Sequence, residues 1–96
     1  MISREKFLLA LLAEEAAEVA QATIKAIRFG LQEVKEGTTT TNAQRLNGEL
    51  QDLMGILTML NDETSLDYHT DLDAVLAKRE RVEKYYAYSK SIGEVQ

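Results

Sequence analysis

The sequence contains no cysteine and no proline, a single histidine, five glycines, and only four tyrosines and two phenylalanines among its 96 residues. Without cysteine there can be no disulfide, no thiolate zinc site and no cysteine nucleophile, and a reducing compartment is permitted. The lack of proline and the scarcity of glycine and aromatics, set beside many Ala, Leu, Glu, Lys and Gln residues, favour helix throughout. No stretch alternates as a strand does. No run reaches the roughly 18–20 apolar residues of a membrane span, so a soluble, cytoplasmic protein is expected. A net charge of −5 disfavours nucleic-acid polymers and anionic membranes, which attract concentrated positive surfaces.

The apolar run FLLALLA at residues 7–13 follows Arg4 and Lys6 and superficially resembles a secretory leader. It is short for one, and it passes into acidic residues that keep helical period without a small-residue cleavage site, so it reads as mature protein. The length suits one domain over residues 1–96, and a 45% hydrophobic content can supply a core. A chain this short buries only about 60–65% of its unfolded surface. Completion of the core by homo-oligomerisation, as a dimer or tetramer, is therefore expected.

Three long helices are predicted, giving an all-α bundle with short connecting helical turns. The first runs from about Ser3, a capping residue, to Phe29, with Gly30 as the C-terminal glycine. Residues 31–40, LQEVKEGTTT, form a loop or short helical turn. Thr41 and Gln44 have capping-box spacing and open a second helix with the stripe Leu46, Leu50, Leu53, Leu57 and Leu60. After a connection over residues 61–69, Thr70 caps a third helix over about 71–89, with Leu72, Val75, Leu76, Val82 and Tyr86 facing inward.

Carboxylates interrupt this pattern. In LLAEEAAEVAQ (residues 11–21) the stripe set by Leu8, Leu11 and Leu12 continues into Glu15, Glu18 and Val19. On the second helix, Glu49 and Asp52 share a face with Ile56 and Met59, beside the leucines. Among eleven glutamates ~1 ExxE pair is expected by chance. Glu33/Glu36 and Glu80/Glu83 repeat the spacing but read as solvated faces. Only Glu15/Glu18 and Glu49/Asp52 lie on inward registers of two separate helices.

Four inward carboxylates repel one another and lose hydration, so positive charge must balance them. Lysine or arginine partners would do so. Carboxylate pairs on two facing helices also surround a point at oxygen-ligand distance from a hard divalent cation, Mg²⁺ or Mn²⁺. Zinc normally wants histidine or cysteine, and di-iron carboxylate bundles want Glu-x-x-His pairs. Neither is present, and His69, in the connection, has no ligand spacing.

The segments EEAAEVAQATIKAIRFG (14–30) and GELQDLMGIL (48–57) together resemble the ExxE and ExxD helices of the MazG-like all-α nucleoside triphosphate pyrophosphohydrolases, in particular the short single-domain, phage-type members. Thirty residues lie between Glu18 and Glu49, towards the long end of the family's gap or beyond it. The resemblance implies that Glu15, Glu18, Glu49 and Asp52 are Mg²⁺ ligands and catalytic residues. It implies hydrolysis of a nucleoside triphosphate between the α- and β-phosphates, giving monophosphate and pyrophosphate. Phosphoribosyl-ATP pyrophosphohydrolases share the fold and similar acidic helices, so that substrate stands as an alternative. A non-catalytic helical oligomerisation or binding module, with the acids paired to cations of another subunit, is the other.

Cations are expected at the outer phosphates. Lys25 stands one heptad beyond Glu18 on the same inward face, and Arg28 follows three residues later. In AKRERVEKYY, Lys78, Lys84 and Tyr85 are candidate substrate contacts, since this stretch resembles the basic, tyrosine-containing last helix of the short members. No GxxxxGK[ST] or GxGxxG motif is present, so neither a P-loop nor a Rossmann phosphate site is available.

Overall fold

A computed structural model describes residues 2–96 and is helical in three segments. Helix α1 spans Arg4–Phe29, α2 spans Asn42–Glu63 and α3 spans Leu72–Ser91. Each begins on a side-chain cap. The Ser3 hydroxyl accepts from the Lys6 amide. Thr41 accepts from the Gln44 amide, while the Gln44 side chain accepts from the Thr41 amide, the reciprocal pair that satisfies two orphan donors. The cap of α3 is Asp71, not Thr70: its carboxylate accepts from Ala74 N, and a carboxylate also suits the positive end of the helix dipole.

Helix α1 stops at Gly30, whose amide still bonds Ala26 O and whose φ of 89° lies in the left-handed region that favours glycine. The connection that follows contains turns and one isolated bridge between Val34 and Thr41, with no helix of its own. It is tied back to the start of α2. Asn42 is buried, its side-chain amide donates to Gly30 O at 2.8 Å, its backbone N–H donates to Glu33 O, and Ala43 N–H donates to Leu31 O. At the opposite end Arg4 makes two hydrogen bonds to the Glu63 carboxylate. Both ends of α1 therefore meet the opposite ends of α2, and the two helices form an antiparallel hairpin about 35–40 Å long.

The hairpin has a thin core. Leu8 and Leu60 are its only fully buried apolar side chains among the described residues. Leu46, Leu53 and Leu57 are half-buried, while Leu50 is exposed. Helix α3 packs against neither α1 nor α2. The side chains expected to face inward on α3, namely Leu72, Val75, Leu76, Val82 and Tyr86, are all exposed, because no other part of the chain comes to meet them. The radius of gyration is 17.2 Å, against about 12.5 Å for a compact domain of this length. Among the described residues, no helix is long and apolar enough to cross a membrane.

Candidate functional site: an acidic groove with a cationic end

The stripe that runs from Leu8 into Glu15 turns those positions toward α2, and the α2 stripe turns Glu49 back. One carboxylate oxygen from each of Glu15, Glu49 and Asp52 lies within 4.8 Å of the other two. Glu15 and Glu49 are half-buried and Asp52 is exposed at the rim. One oxygen of Glu15, Oε2, is out of solvent and has no hydrogen-bond partner. Burial raises the Glu15 carboxyl above the usual carboxylate range, and the nearby charges of Asp52, Glu49, Glu18 and Glu14 push it further the same way. Three of the four expected acids thus converge. Glu18 is exposed and stands one turn along, lining the adjoining groove with Glu49.

Because its pKa is raised, Glu15 sets a pH dependence with a definite sign. Its charge costs stability in the folded chain, and that cost is absent below the pKa of the unfolded carboxyl. It grows as pH rises through the raised folded value. Without divalent cation, Glu15→Gln should therefore melt at the same temperature as the parent near pH 4 and at a higher one near pH 7. The expected observation is a gap in melting temperature that widens with pH. A constant gap would show that the Glu15 carboxyl is unshifted by folding, and a variant that becomes less stable as pH rises to neutrality would show that Glu15 holds a cationic partner.

The groove has a second end of opposite sign. Glu18, Gln21, Ala22 and Lys25 of α1 and Asn42, Arg45 and Glu49 of α2 enclose about 120 Å³, and a contiguous hollow adds Phe29, Glu33 and Lys35 beside Lys25, Asn42 and Arg45. Lys25 and Arg45 are half-buried and make no ion pair among the described residues. The Nε of Arg45 is out of solvent without a hydrogen-bond partner. Helix geometry explains the polarity. Lys25 follows Glu18 by one heptad on α1, whereas Arg45 precedes Asp52 by one heptad on α2. In antiparallel helices those opposite orders place acid beside acid and cation beside cation.

The pattern of one helix alone does not point to Arg45. The signal for it was present as the Arg45–Asp52 heptad, which is the reverse of Glu18–Lys25, but it becomes legible only once the helices are known to run antiparallel. Asn42 was hidden for another reason, since it looks like an ordinary helix-start residue until the connection folds back over it.

The remaining candidates lie elsewhere. Arg28, in the last turn of α1, is exposed and suits the negative end of the helix dipole, and it does not line the groove. Lys78, Lys84 and Tyr85 stand on α3, apart from the groove within one chain. Lys78 and Tyr85, one heptad apart, share a face, and Lys84 lies about a third of a turn round from Lys78. Comparison with known proteins returns no match, whether to family models, to curated proteins or to solved structures.

Proposed function

We propose that this chain is a divalent-cation-dependent nucleoside triphosphate pyrophosphohydrolase that cleaves between the α- and β-phosphates. The observation that carries the reading is the two-ended groove. Three acids converge, one of them, Glu15, has a solvent-free carboxylate oxygen without a partner, and two unpaired cations stand farther along the same groove. A carboxylate cluster alone suits a hard cation, and a cationic cluster alone suits an anion. A polyphosphate chain carrying a divalent cation needs both, in line.

The donors fit the ion. Magnesium and manganese prefer oxygen ligands, and Mg²⁺ holds them at 2.0–2.1 Å, so ligand oxygens around it are at most about 4 Å apart. The Glu15, Glu49 and Asp52 oxygens, within 4.8 Å of one another, need at most a small inward movement to reach that. Glu18 completes the set from the adjoining turn. When bound, the cation would lower the pKa of a water molecule and offset phosphate charge.

The chain's own residues do the rest. Lys25 and Arg45 bind the outer phosphates, and the guanidinium of Arg45 can offer two parallel N–H donors to phosphate oxygens. A carboxylate oxygen of the cluster left free by the cation can take the proton of the attacking water. Lys25 lies seven residues beyond Glu18, about 10 Å along α1, so the outer phosphates are held away from the acids. No covalent nucleophile is needed. The resemblance of the two acidic helices to the MazG-like enzymes supports the same reading.

Turnover of nucleoside triphosphate should require Mg²⁺ or Mn²⁺, vanish in excess chelator and return when the ion is restored. Full turnover in chelator would remove the acids' proposed role.

A further inference from the structure

The groove does not end at its two cations. Lys25 stands one heptad beyond Glu18, and Phe29 follows Lys25 by four residues, so the three fall along one face of α1 over about 16 Å. At that far end lies the contiguous hollow of about 110 Å³, walled by Lys25 and Phe29 of α1, Asn42 and Arg45 of α2, and Glu33 and Lys35 of the connection. The outer phosphates of a triphosphate, assigned to Lys25 and Arg45, leave the Phe29 end of this hollow unused.

The walls are held in place before anything binds. Gly30 ends α1 directly after Phe29, and its carbonyl accepts from the Asn42 side-chain amide at 2.8 Å. Asn42 N–H donates to Glu33 O at 3.0 Å, and Ala43 N–H to Leu31 O at 2.8 Å. Asn42 is 4% exposed, so this tie lies out of water, where a broken hydrogen bond is costly. What the hollow suits follows from its chemistry. A further phosphate would lie between an apolar ring and the Glu33 carboxylate, which repels it. A nucleobase is flat and uncharged, and it can stack on the Phe29 ring, which is 55% exposed. One Glu33 oxygen meets the Asn42 amide at 3.5 Å. The other has no partner among the described residues and can accept from the amino group that adenine, guanine and cytosine carry. Lys35 adds a third cation to Lys25 and Arg45, which suits a polyphosphate longer than three.

We propose that the hollow holds the second nucleoside of a dinucleoside polyphosphate, and that the chain cleaves dinucleoside tetraphosphates. The α-phosphate of the first nucleoside lies at Glu15, Glu49 and Asp52, the phosphates run past Lys25 and Arg45, and the second base stacks on Phe29. This rests on the pyrophosphohydrolase reading and extends its substrate class. The bond that breaks joins the α-phosphorus to the oxygen bridging it to the β-phosphate. Water supplies the new hydroxyl of the monophosphate, its proton passes to a carboxylate and on to solvent, and the leaving group is a nucleoside triphosphate. Water is the only co-reactant.

The test sets the symmetric dinucleoside tetraphosphates of adenosine, guanosine, cytidine and uridine each beside its own triphosphate, with Mg²⁺ present. For at least one nucleoside the tetraphosphate should have the higher kcat/KM, by about tenfold, because the stacked base adds binding that a triphosphate lacks. Its early products should be monophosphate and triphosphate in equal amounts. Phe29→Leu, which keeps apolar bulk and loses the ring, should raise KM for that tetraphosphate about tenfold and leave KM for the triphosphate within about twofold, while Phe29→Tyr should behave as the parent. Tetraphosphates that are no better than their triphosphates, or a Phe29→Leu effect equal on both, would overturn this inference alone. Turnover of neither class would overturn the pyrophosphohydrolase reading and this inference with it.

Discussion

Glu49→Gln should lower turnover of the nucleoside triphosphate by about 10²–10³ while leaving the metal-free protein as stable as the parent or more so. The two effects separate because the same charge acts oppositely in the two states. In the metal-free chain, Glu49 adds to the repulsion on Glu15, so neutralising it relieves a cost. In the proposed metal-bound state it would be one of the oxygen donors, and its loss would weaken the hold on the cation. Magnesium should accordingly raise the melting temperature of the parent more than that of the variant, since a ligand that binds only the folded state stabilises it in proportion to affinity. The structural alternative predicts the reverse. If Glu49 served a buried cation, its loss would strand that partner and cost about 3–5 kcal/mol. Melting curves of both proteins, with and without Mg²⁺, check the sign.

Arg45→Gln should lower kcat/KM by about 10², with Arg45→Lys retaining part of the loss, because the planar guanidinium can grip a phosphate through two donors and an ammonium acts as a point charge. Its stability effect should carry the opposite sign to that of Glu49→Gln. Arg45 stands one turn from Glu49 and lines the groove with Glu18, so removing its charge leaves the acids less balanced and the metal-free chain less stable. Steady-state kinetics and melting on the same preparations read both. An unchanged kcat/KM would remove Arg45 from the phosphate site and leave it a purely electrostatic counterweight.

Much of the hairpin was legible in the sequence because its determinants are local. Ser3, Gly30 and the Thr41/Gln44 pair mark helix ends through bonds to backbone groups within a few residues, and those ends are found where expected. The inward placement of Glu15 and Glu49 was legible for a related reason, since helical period fixes the face whatever lies opposite. Arg45 was not, because its meaning depends on the direction of a partner helix. The environment of α3 is hidden for the same kind of reason. Periodicity gives its apolar stripe, but it does not say that another part of the chain comes to meet it, and none does. Thr70 and Asp71 are adjacent and both competent caps, and Asp71 is the one whose side chain reaches Ala74 N.

The most direct measurement of the groove's function is an analysis of products from a panel of nucleoside triphosphates incubated with Mg²⁺, with monophosphate and pyrophosphate both quantified. Equal amounts of the two, formed by the parent and reduced by about 10² or more in Glu49→Gln, are the expected result. Release of orthophosphate with a nucleoside diphosphate, or no hydrolysis of any member of the panel, would contradict cleavage between the α- and β-phosphates at the Glu15, Glu49 and Asp52 cluster.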